Sequence, residues 1–244
     1  MDQFDDESVF LDPGETAPLL SCPALPGPVV WRRSSRAVRV SLRIDARSGA
    51  VVVTLPPRAG RPAGVALLRT HAAWVRERLA ALAPRIALEP GSEVPLGGAL
   101  HVIRAVGYNH GEAWLQPGAI LAGGDAAEVT ALVAAFLKEE ARRRITALVA
   151  KHAAALGVAW KGIRLKDTRS RWGSCAPDGT LAFSWRLVMA PGWVLDYVVA
   201  HEVAHLREMN HAPVFWDTLA GLSPHREAAV AWLKEHGPGL LRVG

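Results

Sequence analysis

The five residues His201-Glu202-Val203-Ala204-His205 decide how this 244-residue chain is read. On an α-helix, 100° and 1.5 Å per residue set the two histidines about 40° and about 6 Å apart, so both imidazoles reach one ion lying about 2.0 Å from each nitrogen. Glu202 falls about 100° round the helix from His201. That is beside such an ion but badly angled for a ligand, a position that suits a carboxylate taking a proton from metal-activated water. Val194, Val198 and His201 share one stripe, which carries the histidines toward an apolar interior where polar groups need partners. His211 stands about 15 Å further along a continuous helix, out of reach of the ion. Asn210, which tolerates left-handed backbone, and Pro213, which cannot continue a helix, predict that the helix stops between the two. A chain folding back there delivers His211 as third ligand and leaves a fourth position for water, the pattern of a hydrolytic zinc centre. Glu208, about 10 Å along the axis from His201, is expected to support the ligands from behind or to lie on the surface.

Working outward, Pro191 opens the histidine helix, and the stretches Ile163–Arg171 and Thr180–Val188 flank the turn residues Ala176-Pro177-Asp178-Gly179 and read as a hairpin. Asp125 with Glu128 has capping-box spacing and predicts a helix running to Gly157. Ser223 with Pro224 predicts the start of a last helix that ends near His236-Gly237. Earlier in the chain, Val38, Val40, Leu42 and Ile44 alternate with Arg39, Ser41 and Arg43 before the apolar run Val51–Leu55, a second hairpin signal. Pro62–Leu82 has helical spacing, and strand-like groups follow at Ala99–Ala105 and Glu112–Leu121. Residues 1–28 combine acids with five prolines and are expected to form a flexible tail. The expected organisation is that tail, a β-rich region with one helix over 29–124, and a catalytic domain over 125–244.

An apolar fraction of 50% with 21% charged residues is that of a globular protein, and no run approaches the about 18 apolar residues that span a membrane. Six acids and no Lys or Arg in the first twenty residues are the reverse of a secretory signal, and two distant cysteines, Cys22 and Cys175, offer no disulfide framework. A cytoplasmic location is expected. The net charge of +5 rises to +11 over the remaining 224 residues, enough to attract nucleic acid, although solvated basic faces are commonplace.

Around the histidine motif the chain carries the run Lys166-Asp167-Thr168-Arg169-Ser170-Arg171-Trp172-Gly173-Ser174-Cys175, then Trp185-Arg186-Leu187-Val188-Met189-Ala190-Pro191, Asp196-Tyr197-Val198-Val199, Asn210-His211 and Phe215-Trp216. With these motifs in this order, from about Val30 to Leu241, it resembles the YgjP-like (SprT-type) zinc metallopeptidases. The resemblance implies an α+β, zincin-like catalytic domain with an active-site helix and a β-hairpin or sheet, preceded by a smaller β-rich region. It implies His201, His205 and His211 as zinc ligands and Glu202 as catalytic base, in agreement with the helical geometry. Glu208 stands where metzincins, which share the histidine spacing, place glycine.

The expected activity is hydrolysis of peptide bonds in a polypeptide substrate, with one Zn2+ per chain. Tyr197, one turn before His201, is a candidate oxyanion donor, with core packing as the competing role. Arg169, Arg171, Trp172 and Ser174 are candidate substrate contacts. Two other readings stay open: a nucleic-acid-associated protein of SprT-like type in which binding dominates, drawing on the basic body and on Arg142-Arg143-Arg144, and a zinc hydrolase with a non-peptide substrate.

Overall fold

The computed structural model describes residues 27–107, 111–168 and 171–244. Most of the expected acidic tail therefore lies outside the described residues. The chain forms two compact units that divide between Leu82 and Ala83. Among the described residues no helix is long and apolar enough to cross a membrane.

The first unit holds β1 (Val29–Arg33), β2 (Ser41–Ile44), β3 (Val51–Leu55), α1 (Arg61–Thr70) and α2 (Ala72–Ala80). The expected hairpin is present: β3 pairs antiparallel with β2, with Ser41 opposite Thr54, and β1 joins its other edge in parallel. Asp45 turns the chain between them by accepting the backbone N–H groups of Arg47 and Ser48. Val51, Val53 and Leu55 pack with Leu68 and Val75 as the core of this unit. The single helix expected over Pro62–Leu82 is divided at His71. Thr70 supplies a reason, because its hydroxyl bonds back to the carbonyl of Ala66, a contact that bends helices.

The second unit begins with β4 (Glu93–Leu96), β5 (Ala99–Val106), β6 (Ala113–Gln116) and β7 (Ala119–Gly123), in the order β4-β5-β7-β6. Next comes α3 (Ala126–Leu156), with the expected capping box of Asp125 and Glu128 at one end and left-handed Gly157 at the other. Its buried residues Val129, Val133, Leu137, Ala141, Ile145, Val149 and Ala153 recur every fourth position and make it the central packing element. The sequence grouped the sheet over 93–123 with the N-terminal region, but it belongs to the same compact unit as the histidine helix. The turn between β4 and β5 shows why. The N–H groups of Gly97 and Gly98 donate to the carbonyls of Val188 and Met189, at 2.8 and 3.1 Å, just ahead of that helix. Gly98 has φ +87° and a Cβ there would meet Pro191 at 3.0 Å, so only glycine permits the approach.

Beyond α3 lie β8 (Gly162–Lys166), β9 (Gly173–Cys175) and β10 (Thr180–Ser184), a 3-10 turn over Trp185–Met189, and the helices α4 (Gly192–Ala204), α5 (Pro213–Leu222) and α6 (Arg226–Leu240). The expected hairpin has a different partner. Gly179 closes the turn onto Ala176, but the strand paired antiparallel with β10 is the short β9, and Ile163 belongs to β8, which lies parallel on the other side. The expected start of the last helix also shifts: α6 begins at Arg226 behind His225, with no side-chain cap, and continues through Pro238. Arg186, fully buried, ties the 3-10 turn to Asp167 and to the carbonyls of Leu240 and Val243, which fixes the end of α6.

Candidate metal centre

Helix α4 is buried on nearly every side, from Val194 to Ala204, rather than along the single expected stripe. A helix buried on nearly every side is a core element, and its C-terminal turn is held in one place by the elements packed around it. It is anchored to α3 as well: the buried His152 ring lies 2.9 Å from the Asp196 carboxylate.

The helix ends at Ala204, so the second histidine of the motif caps it. Leu206 and Arg207 tighten the exit by donating to the carbonyls of Val203 and Ala204. Asn210 then acts differently from expectation. No residue other than glycine has positive φ among the described residues, and the Asn210 carboxamide instead accepts the N–H of Ala212 at 3.0 Å. This Asx turn, followed by Pro213 in the first turn of α5, folds the chain back and presents His211.

His201, His205 and His211 come together, each offering a ring nitrogen within 4.8 Å of the others. The Nε2 atoms of His201 and His211 are 3.3 Å apart. Two nitrogens bound tetrahedrally to zinc at about 2.0–2.1 Å are separated by about 3.3 Å, so the pair already spans the edge of such a coordination shell. His205 Nδ1 lies 3.0 Å from the carbonyl oxygen of Glu208. A carbonyl only accepts, so Nδ1 carries the hydrogen and the Nε2 lone pair is left for a metal. Glu208 thus supports the site from behind, through its backbone. Burial, together with the charges of His205, His211 and Arg226, pulls His201 down to about 4, and burial also lowers His205. The donor set is imidazole nitrogen, a chemistry that suits zinc. Cys175 contributes no ligand to the cluster, and burial pushes its thiol up to about 11, which keeps it protonated.

Two aromatic residues, of which Trp216 was expected to be core or pocket wall, hold the histidine rings. Phe215 stacks on His205 at 4.5 Å and 27°, and Trp216 stacks on His211 at 5.3 Å and 29°. Adjacent residues at the start of α5 therefore grip two different histidines. Arg226, the first residue of α6, places its guanidinium carbon 3.5 Å from the centre of the Trp216 ring. Only their neighbourhood to His211 could have marked these residues in the sequence.

Glu202 is 6% exposed, and burial raises its carboxyl to about 8. Its place depends on Gly173 of β9, where a Cβ would lie 2.5 Å from Glu202 Oε1 and 2.6 Å from its Cγ. Gly173→Ala is expected to displace the carboxyl and lower kcat by about 100-fold, the cost of roughly 1 Å of misplacement, while metal analysis finds the ion retained. Unchanged kcat would detach Gly173 from the chemistry.

The other candidates are spread more widely. Tyr197 is buried with its ring 6.1 Å from that of His201, and burial raises its hydroxyl. Trp172 packs against α6, where a Cβ on Gly237 would come within 2.9 Å of the indole. Ser174 sits in β9 opposite Ala182, Arg171 is exposed just before that strand, and Arg169 lies outside the described residues.

A family model for the YgjP-like metallopeptidase domain matches residues 38–236. Among solved structures, the chain is similar to the metallopeptidase zymogen jannalysin of Methanocaldococcus jannaschii, at 22% identity over 37% of this chain and 91% of that one, with a TM-score of 0.32. No curated protein matches. The family match runs through both compact units and takes in the three clustered histidines, Glu202 and the β9 strand beside it; the chain belongs to the YgjP-like metallopeptidases.

Proposed function

We propose that this metallopeptidase is a zinc enzyme with a zincin-like catalytic unit, in which Glu202 is the general base for hydrolysis of peptide bonds. The observation that carries the reading is the 3.3 Å separation of the His201 and His211 nitrogens, with the His205 lone pair directed by Glu208 and the Glu202 carboxyl buried alongside. His201, His205 and His211 hold the ion, and bound zinc supplies Lewis-acid activation of water and of the scissile carbonyl. Glu202 takes the proton from the attacking water and returns it to the leaving amine. Burial favours its protonated form, which suits the second half of that cycle, and a neighbouring dication favours the ionised form needed for the first. Tyr197 is assigned as a hydroxyl donor to the oxyanion that develops on the carbonyl.

The polypeptide substrate is assigned to the outer edge of β9, flanked by Arg171. In that sheet β10 is central and β9 lies at an edge. Ser184 donates to the carbonyl of Trp172, and Ala176 donates to that of Thr180. By alternation Ser174 faces β10 and the N–H groups of Gly173 and Cys175 face outward, where an extended substrate adds as a strand. Cys175→Pro is expected to raise KM for a long peptide several-fold with zinc retained, and Cys175→Ala to leave it unchanged. Equal KM values for the two variants would exclude this edge.

The nucleic-acid reading draws on charge alone, and on α3 the run Arg142 to Arg144 is matched by Glu139 and Glu140. The proposed activity is tested by mass spectrometry of an unfolded polypeptide incubated with zinc-loaded protein. New termini are expected, lost on chelation and restored by zinc. Absence of new termini, with zinc-dependent hydrolysis of a small ester or phosphate instead, would favour the non-peptide reading.

A further inference from the structure

We propose that Arg226 is a substrate-recognition residue of the histidine pocket, where its guanidinium holds an anionic oxygen of the substrate. That oxygen is either the oxyanion forming at the scissile carbonyl or a free C-terminal carboxylate, and the proposal rests on the metallopeptidase reading above. The guanidinium lies 3.5 Å over Trp216, whose ring is 5.3 Å from His211 and 6.3 Å from His201. One indole therefore joins the arginine to two of the histidines. The attraction of a cation to the ring face fixes the guanidinium without using its five N–H donors. Among the described residues no carboxylate forms an ion pair with Arg226 and no acceptor takes its hydrogens. Helix stability does not explain its position, because a cation at the first residue of α6 opposes the positive end of the helix.

A divalent ion held by the three histidines, together with this guanidinium, would make a positive site with Glu202 as the nearby acid. An anionic oxygen relieves that imbalance, and it does so most when charge develops during the reaction. The sequence offered Tyr197 as oxyanion donor and Arg169, Arg171 and Ser174 as substrate contacts, and Arg226 lay too far along the chain to be counted among them.

The test compares wild type, Arg226→Gln and Arg226→Lys as full-length, metal-loaded proteins. Two peptides of one sequence serve as substrates, one ending in a free carboxylate and the other amidated. Inorganic phosphate titrated into the cobalt-substituted proteins, followed by the visible spectrum, reports anion binding without turnover. All three proteins are expected to hold one metal ion, with phosphate binding weakened at least tenfold in Arg226→Gln and partly recovered in Arg226→Lys. A tenfold or larger fall in kcat on both peptides identifies the oxyanion, and a rise in KM confined to the free carboxylate identifies the chain terminus. Phosphate binding and cleavage equal to wild type in Arg226→Gln would overturn the proposal. So would loss of metal in proportion to activity, which would make Arg226 a prop for Trp216. Failure of the metallopeptidase reading shows separately, as wild type that cleaves neither peptide.

Discussion

His211→Ala is expected to lose zinc, with affinity falling by more than about 100-fold, because replacing even an outer partner of a ligand costs about 10–100-fold. The two remaining histidines sit on consecutive turns of one helix, with ring centroids 5.0 Å apart, and a pair of imidazoles makes a weak and poorly selective site. His211 is the proposed ligand that the fold delivers last. It comes from outside α4, across the Asn210 turn, and it is steadied by Trp216. Metal analysis after gel filtration measures the loss directly, and circular dichroism separates it from unfolding. If His211→Ala retains zinc at the wild-type ratio, the third ligand is another residue. Trp216→Leu is a milder version of the same test, since it removes the stacked ring and leaves the nitrogen.

The local parts of this site were legible because they depend on short-range geometry. Two histidines four residues apart face one ion on any helix, and Asp125 with Glu128 starts a helix wherever the flanking chain allows one. Pro213 marked the break before α5 correctly. Asn210 marked it for the wrong physical reason: its side chain, bonded to the N–H of Ala212, turns the chain with ordinary backbone angles. Long-range pairing was less readable. The apolar alternation of β8 and β10 is the same whether they form a hairpin or lie parallel, and β9 is too short to signal at all. The tie between the sheet over 93–123 and the histidine helix was hidden in the same way, since two glycine N–H groups bound to the carbonyls of Val188 and Met189 leave no periodicity to detect. The packing of Phe215, Trp216 and Arg226 around the histidines was hidden too, because it joins the starts of α5 and α6 across a turn.

Glu202→Gln is expected to lower turnover by about 10²–10⁴-fold, the range attributed to a positioned general base. The substitution preserves size and the contact with Gly173 and removes only the capacity to take a proton at the carboxylate. Glu202 is not one of the three clustered donors, so metal content is expected to stay at the wild-type ratio. The two quantities together discriminate between roles: a ligand loses both, a base loses turnover alone, and a buried structural carboxyl loses neither. Glutamine keeps the size of this buried side chain, and the variant is expected to fold as well as wild type. The direct measurement is the zinc-to-protein ratio and the cleavage rate of an unfolded polypeptide, taken on the same preparations of wild type and Glu202→Gln. A ratio near one in both, with a rate at least about 100-fold lower in the variant, is the predicted result. Equal rates, or zinc lost together with activity, would contradict a three-histidine centre served by Glu202 as base.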